Sequence, residues 1–206
     1  MNKKSVERNL QTFLRSRRSI RTFTQDKVPS EILHRILETA IYSPSAHNLQ
    51  PWHFVVLTDI ESKLQLGKAI ATKFRNDMIT DGIPELDICA RIEKTINRSR
   101  QAPVIIILCR NKKMVKLQPD IVRQKAEELM GIQSVALAGL QLLLAAHAEG
   151  LGGTWICWPL FAPDETRLAL GLSSEWEPQG MIFLGYPDES PEMPIRYPVH
   201  EVTSYK

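Results

Sequence analysis

The chain of 206 residues is 43% hydrophobic and carries a formal net charge of +3. This length supports one sizeable core, and therefore one domain over residues 1–206, and so small a charge does not favour nucleic acid as a partner. The longest apolar run, Val135 to Ala146, is about a dozen residues and is too short to cross a membrane. The charged N-terminus lacks the apolar segment of a signal peptide. Three scattered cysteines predict no disulfide framework, no zinc site and a cytoplasmic location.

The first half of the chain predicts three helices and one strand. Ser30 is expected to cap a helix whose apolar residues share one face. Residues 52–58 follow as a strand. Asp59 is expected to cap a second helix, roughly 60–80, and Pro84 suits the first turn of a third.

The second half contains the most apolar segments. The run from Pro103 to Cys109 has no alternation, which is typical of a strand covered on both faces. A long helical segment follows, from about Pro119 to Glu149. Its second half is apolar nearly all round and rich in Ala and Gly, so it should be buried on every side. In a chain this short, a second subunit is the expected cover.

Shorter elements complete the chain. "TWICW", residues 154–158, predicts a strand, residues 164–170 a short helix, and residues 180–185 the last strand. Residues 186–206 are rich in proline and poor in core pattern, as expected of a tail that reaches a partner subunit. The predicted class is α+β: a small mixed or antiparallel sheet wrapped by helices, with one long central helix.

Arginines concentrate near the N-terminus in "RSRRSIRTF", where Arg17, Arg18 and Arg21 surround Ser19. Guanidinium groups with a hydroxyl between them are the groups that hold a phosphate through charge-assisted hydrogen bonds. A solvated charged face is the other interpretation of such a run, and composition alone leaves both open.

A second unusual stretch is "SPSAHNLQPWHF", residues 43–54, which leads into the first strand. Two prolines restrict it, and small and amide residues fill it with hydrogen-bonding groups. A plain turn needs only a Gly or an Asn. The stretch is therefore predicted to hold a ligand as well as to reverse the chain.

Together, "RRSIRTF" and "YSPSAHNLQPWHFVV" resemble the opening of the nitroreductase family of flavin mononucleotide (FMN) enzymes. "LLLAAHAEGLGGTWI", "LGYPDE" and "IRYPVHEV" resemble, in the expected order, its central helix with the following strand, its last strand and its C-terminal tail. Within the family, "PSAH", "QPW" and "EGLGGTWI" look closest to the reductase domain attached to the ligase of the deazaflavin coenzyme, factor 420. The ligase domain itself is not among these residues.

The resemblance implies a nitroreductase-like fold in an intertwined homodimer, with FMN bound at the interface. NAD(P)H would pass hydride to flavin N5, and a nitroaromatic, a quinone or a similar small-molecule acceptor would receive it. The flavin does the chemistry, so no catalytic side chain is expected. Three alternatives stay open: a reductase of a deazaflavin precursor, an enzyme that fragments flavin, and a non-enzymatic FMN-binding protein.

The resemblance also implies particular FMN contacts. They are Arg17, Arg18, Ser19, Arg21, Pro44, Ser45, Ala46, Asn48, Arg98, Ile156, Cys157, Trp158 and Arg196. Of these, Arg17, Ser19 and Arg196 would meet the phosphate, with Arg18 beside them. Arg21, near the ribityl chain, and Arg98 would lie at the N1/O2 edge of the ring. Pro194 stands where the family usually has a lysine, so more of the phosphate charge should fall to Arg17. The four contacts from the 43–54 stretch would line a flavin bound mainly by the other subunit.

The remaining expectations concern single side chains. The backbone amides near Cys157 and Trp158 would face flavin N5, and the Cys157 thiol is expected to be buried and inert. A Trp158 side chain that points into the pocket would favour flat acceptors, whereas one that points into the core would leave room for the larger precursor. His47 would touch substrate, and His53 is expected to pack in the strand. Neither has an acidic partner at a metal-ligand spacing, so no metal is predicted.

Overall fold

The computed structural model describes residues 3–206, with side chains described from residue 9 onward. Residues 1 and 2 lie outside this range. They belong to the N-terminal stretch that is expected not to be a signal peptide. The helices are α1 Lys3–Ser16, α2 Ser30–Ala40, α3 Ile60–Thr80, α4 Glu85–Gln101, α5 Ile121–Ala148, α6 Trp158–Phe161 and α7 Pro163–Ala169. The strands are β1 Trp52–Leu57, β2 Val104–Asn111, β3 Gly152–Ile156 and β4 Trp176–Gly185. The predicted α+β class and the long central helix are confirmed.

The four strands form one antiparallel sheet in the order β1-β2-β4-β3. Alternate residues of the central strand β2 enter two separate hydrophobic clusters. Ile106 and Leu108 pack in the cluster that includes α5, whereas Ile105 and Ile107 pack in the cluster that includes α3. β2 is buried along nearly its whole length, so the predicted strand covered on both faces is confirmed.

The long helix α5 lies across one face of this sheet. Gly139 allows the close approach, because a Cβ there would lie 2.2 Å from Cζ3 of Trp155. By length and composition α5 would suit a membrane span, but half of its most apolar window is buried in the protein, as in a core helix. Burial on every side is predicted with a second subunit as part of the cover, and the single chain by itself leaves part of α5 exposed. Leu129, Leu137 and Leu140 are 53%, 44% and 49% exposed, and apolar surface of this kind is typical of an interface.

Two of the three predicted helix starts need correction. α2 begins at Ser30 with Pro29 as its N-cap, and the Ser30 hydroxyl makes no cap hydrogen bond, because Pro29 already has the extended geometry of a cap (φ −58°, ψ 144°). Pro84 likewise precedes α4 as its N-cap and does not lie in its first turn. The Asp59 cap is confirmed: its carboxylate accepts a hydrogen bond from the Ser62 N–H at 2.7 Å.

The predicted strand at residues 154–158 is also wrong at its end. β3 stops at Ile156, and Trp158 begins the short helix α6 with a proline in its first turn, where the missing N–H costs nothing. β4 starts at Trp176, before the predicted residue 180, because its first residues pair with the end of β2 beyond a bulge. α1 has no counterpart among the predicted elements. Phe13, near the end of α1, stacks on the imidazole of His147 in α5, with ring centroids 4.9 Å apart.

Candidate active site

Residues 17–21 run along the open edge of β3. The Ile20 N–H donates to the Gly153 carbonyl at 3.2 Å, and Ser19 pairs with Gly153 in a short parallel bridge. Gly152 makes this approach possible, because a Cβ there would lie 2.5 Å from Cγ1 of Ile20. Ile20 itself is buried. One apolar side chain therefore anchors the segment and leaves its polar neighbours at the edge of the sheet.

These neighbours and the tail surround a depression of about 290 Å³. It is lined by Arg17, Arg18, Ser19, Arg21, Pro191, Glu192, Pro194 and Arg196. We call the four arginines and Ser19 the arginine cluster. Within residues 9–206, none of the four guanidinium groups has a carboxylate oxygen within 4.0 Å. Their hydrogen bonds in this part of the chain go to backbone carbonyls.

Positive charge is concentrated in the cluster. The pKa of Arg17 is lowered from its ordinary value, first by burial and then by the charges of Arg18 and Arg196. An anion placed between these guanidinium groups would relieve their repulsion and accept their free N–H groups. The geometry therefore suits a phosphate, and the assignment of these residues to the FMN phosphate stays a prediction.

The root of the tail is fixed against the same segment. The Glu189 carboxylate accepts hydrogen bonds from the backbone N–H groups of Arg21 and Thr22. This contact carries the chain back to the depression, where Arg196 joins the other arginines. From residue 192 onward the tail is exposed, with Ile195 at 97%. The apolar side chains of the tail therefore have no cover in the single chain.

The 43–51 loop has an unusual backbone conformation. His47, Asn48 and Gln50 have φ values of 54°, 53° and 50°, in the left-handed region that residues other than glycine rarely adopt. Ser45 closes the loop. Its carbonyl accepts from the Asn48 N–H and its hydroxyl from the Gln50 N–H, both at 3.0 Å. Such strain is typical of functional sites and persists only where the surroundings hold it.

α5 provides part of that support. The Ala46 N–H donates to the Ser134 hydroxyl at 3.2 Å, and this hydroxyl donates to the Met130 carbonyl at 2.7 Å. The depression between loop and helix, which we call the loop groove, has a volume of about 220 Å³. It is lined by Pro44, Ser45, Ala46, Met130, Gln133, Ser134 and Leu137. Apolar walls with a few hydrogen-bonding groups are what a small-molecule site requires.

The arginine cluster and the loop groove lie at opposite edges of the sheet. The cluster adjoins β3 and the loop leads into β1, and these are the two outer strands. Three strand spacings, roughly 14 Å, separate the two edges, and the two depressions share no lining residue. One chain thus brings the predicted phosphate contacts together at one edge and Pro44, Ser45 and Ala46 together at the other, whereas Asn48 does not line the loop groove. The two sets do not meet within the chain.

Arg98 lies next to the arginine cluster and is partly buried. It shares a depression of about 210 Å³ with Arg21 and Phe23. Its guanidinium lies over the rings of Trp158 and Phe183, 5.4 Å and 5.7 Å from their centroids. Burial, and then the charge of Arg21, lowers the pKa of Arg98. The two residues predicted for the ring edge are therefore neighbours.

The turn after β3 differs from the expectation in one side chain. Cys157 is exposed, and its sulfur accepts a hydrogen bond from Nε1 of Trp155 at 3.2 Å. The predicted burial is wrong because the strand ends at Ile156, two residues before its predicted end, and Cys157 lies in the turn that follows. Trp158 packs edge-on against Phe74 and against Phe183 of the core. The side chain therefore points toward the core, which is the arrangement expected to leave room for a larger acceptor.

Sequence reasoning missed a buried carboxylate beside the loop. Glu127 of α5 is 7% exposed, lies 3.5 Å from Nε2 of His47 and accepts a hydrogen bond from Nε2 of Gln118 at 2.9 Å. The one signal for it was its spacing, since Gly131 and Ser134 of the same buried helix face follow at four and seven residues.

Two other histidines pack on aromatic rings. His53 lies in β1 and stacks on a tryptophan of β4, but it is exposed. His147, at the end of α5, is hydrogen-bonded to the Ser16 hydroxyl at 2.7 Å. Burial, and then the charges of Arg17 and Arg18, lower the pKa of His147. No pattern pointed to this residue, because its neighbours come from α1.

Comparison with known proteins identifies the class. The chain matches the family model "Nitroreductase family" over residues 14–186. An NADH dehydrogenase of Thermus thermophilus is 32% identical over 195 residues, which cover 92% of this chain and 92% of that protein. The structure of nitroreductase A from Vibrio parahaemolyticus is 26% identical, with a TM-score of 0.73 over 95% of this chain and 75% of that one. That of an FMN-dependent nitroreductase from Clostridium difficile is 24% identical, with a TM-score of 0.66 over 90% and 91%.

The chain belongs to the nitroreductase family and is an FMN-dependent oxidoreductase.

Proposed function

We propose that residues 1–206 form one FMN-binding domain of a cytoplasmic homodimer that oxidises NAD(P)H. Each of the two FMN sites would combine the arginine cluster of one subunit with the loop groove of the other. The separation of these two depressions across the sheet is the observation that carries the proposal. A flavin that needs both sets of contacts requires a second chain.

Exposed apolar surface supports the dimer. α5 leaves Leu137, which lines the loop groove, and Leu140 exposed, and the tail beyond residue 191 is exposed throughout. A second subunit would cover both features, with residues 186–206 reaching across to it. An obligate interface of this kind buries more than about 2,000 Å² in total.

The residues present fit FMN. Arg17, Arg18, Ser19 and Arg196 offer cationic and hydroxyl donors without a carboxylate partner among the described residues, as a phosphate requires. Arg21 and Arg98 would place positive charge at the polar edge of the ring. The remaining contacts would come from Pro44, Ser45, Ala46 and Asn48 of the partner loop and from Ile156, Cys157 and Trp158 after β3. When bound, FMN would supply the transfer of reducing equivalents, and the chain would bind FMN and orient the donor and the acceptor against it.

We propose nitroaromatics and quinones as the acceptors, because the loop groove joins an apolar wall to a few polar groups. A deazaflavin precursor is the second candidate. The packing of Trp158 against Phe74 and Phe183 supports this second candidate, since a Trp158 side chain directed at the core would not narrow the acceptor site.

The test begins with the absorbance spectrum of the purified protein, followed by anaerobic titration with NADH and with NADPH. We expect non-covalent FMN that is bleached by one of the two donors and returns to the oxidised spectrum in air. Values of kcat/KM for a quinone, a nitroarene and the dehydro deazaflavin precursor then rank the acceptors. A colourless protein that takes up no added FMN contradicts the proposal, and permanent loss of the yellow ring in air indicates flavin fragmentation.

A further inference from the structure

Glu127 is a carboxylate buried without a permanent cation. Within residues 9–206, no lysine or arginine nitrogen lies within 4.0 Å of it. Its Oε1 accepts from Nε2 of Gln118 at 2.9 Å and lies 3.5 Å from Nε2 of His47. Because a buried carboxylate is costly unless it is paired, the contact with His47 has an evident physical reason.

His47 lies between this carboxylate and the solvent. Its side chain is 37% exposed, whereas that of Glu127 is 7% exposed, and the preceding residue, Ala46, lines the loop groove. Nε2 is the ring nitrogen that faces the carboxylate, and within residues 9–206 Nδ1 has no hydrogen-bond partner, so it stays available to another molecule. When the imidazole is protonated, Nδ1–H can donate to an oxygen of a molecule bound beside the loop.

The backbone explains why the imidazole needs support. His47 has a φ of 54° and precedes Asn48, which is also left-handed, and such residues keep their conformation only where other contacts hold them. Within residues 9–206, α5 makes two polar contacts with the loop, from the Ser134 hydroxyl to the Ala46 N–H and from the Glu127 carboxylate to the His47 ring. The first contact holds the backbone, and the second holds the side chain.

We propose that Glu127 is a positioning residue for His47, and that the imidazole binds the acceptor through a hydrogen bond to a nitro or quinone oxygen. The inference rests on the proposed function and names the group that would select oxygen-bearing acceptors. It involves no covalent step, and the buried carboxylate acts only through the histidine.

The test compares wild type with Glu127→Gln, His47→Asn and the double variant, all loaded with FMN. Glutamine keeps the shape of the side chain and removes its charge, and asparagine tolerates a positive φ better than most residues. Glu128→Gln is the matched control, since it removes the same charge at the adjacent, exposed position. The main readout is the Kd of menadione for the oxidised protein without NAD(P)H, followed by the change in flavin absorbance. The Kd of FMN and the KM values of menadione and ferricyanide are measured beside it.

Each single variant should raise the Kd and the KM of menadione about tenfold, the scale of one charged hydrogen bond. The double variant should be no worse than His47→Asn. The Kd of FMN, the KM of ferricyanide, which needs no such hydrogen bond, and all values for Glu128→Gln should stay at wild type.

A wild-type menadione Kd in Glu127→Gln overturns the inference, as do single effects that multiply in the double variant, because a purely structural carboxylate would act in both backgrounds. If Glu127→Gln fails to fold, His47→Asn decides alone, and an unchanged menadione Kd overturns the proposal. A protein that takes up no FMN, or that NAD(P)H does not reduce, contradicts the proposed function instead.

Discussion

The two edges of the sheet differ in how they prepare a binding surface. At the β3 edge, one buried side chain, Ile20, anchors a short extended segment, and long flexible arginines form the surface. At the β1 edge, the backbone itself forms the surface, in a loop with three left-handed residues closed by Ser45. The difference matches the two parts of the proposed ligand. A phosphate needs positive charge that can adapt to it, whereas an aromatic ring needs a fixed apolar wall.

The two edges also carry different energetic costs. In the arginine cluster the cost is electrostatic, because guanidinium groups lie near each other without a carboxylate partner among the described residues. In the loop the cost is conformational, of order 1–3 kcal/mol for a strained residue and smallest at Asn48, since asparagine visits the left-handed region more readily. The first cost falls when an anion binds, whereas the second is offset by contacts with α5 that exist before any ligand arrives.

A mixed dimer gives the largest expected effect, and it tests directly whether the two edges serve one site from different subunits. One subunit carries Arg17→Ala, and the other carries Ala46→Trp, which fills the loop groove. If each site draws on both subunits, this dimer retains one intact site of its two, whereas either homodimer variant retains none. FMN content and NAD(P)H oxidation of dimers purified through two different affinity tags measure this, at an FMN concentration that saturates wild type only.

The reciprocal dimer is the control. It pairs a subunit that carries both substitutions with a wild-type subunit, and it should retain no intact site. The opposite pattern, with activity in the reciprocal dimer and none in the mixed one, would place both depressions in one site of one subunit and refute the shared site.

Arg17→Ala should weaken FMN binding by roughly 1.5–3 kcal/mol, or about 10- to 150-fold in Kd. The reason is the loss of charged hydrogen bonds to the phosphate, and the effect should be large because Pro194 offers no charge nearby. Arg15→Ala is the matched control, because Arg15 is exposed and lies outside the lining of the depression. Equilibrium titration of the flavin-free protein measures both variants, and equal effects would show that only overall charge matters.

Ser45→Ala should lower the free energy of unfolding by about 1 kcal/mol, the typical net value of one hydrogen bond. The lost bond is the one that the hydroxyl accepts from the Gln50 N–H, so the loop should also become more sensitive to proteolysis. Ser30→Ala is the control, since it removes the same hydroxyl at an exposed position, where it donates only to the neighbouring Glu31 carboxylate, at 3.2 Å, and closes no loop. Urea unfolding compares the two, and equal stabilities would mean that the loop does not depend on Ser45.

The smallest expected effect concerns pH at the β3 edge. The pKa of His147 is lowered in the folded chain, so the unfolded chain binds this proton more readily. The free energy of unfolding should therefore decrease as the pH falls below about 6.5, the ordinary histidine value. At about pH 8 both states are neutral at this residue, and its contribution no longer varies.

His147→Gln should flatten this part of the profile, and urea unfolding between about pH 5.5 and pH 8 measures the slope in both proteins. The corresponding control, His53→Gln, changes an exposed histidine in the strand at the far edge. An unchanged slope in His147→Gln would show that this histidine does not titrate as its surroundings indicate.

Much of the fold could be predicted because the signals were local. The apolar run of β2, the Asp59 cap and the long helix α5 each follow from residues adjacent in the chain. The errors occurred at the ends of elements, where a proline or a contact with another strand overrode the pattern of apolar residues. Pro29 displaced the expected cap at Ser30, and a proline in the first turn of α6 ended the strand early.

By itself, the sequence determined which residue types are available: clustered arginines, a proline-bounded loop and an apolar helix. Tertiary structure alone decided where they meet. The strand order places the cluster and the loop at opposite edges, so one chain holds two separate halves of the predicted site. It also brings Glu127 beside His47, eighty residues earlier in the chain. No local pattern encodes such contacts, because packing between distant elements and the free energy of burying a carboxylate arise only when the chain is folded.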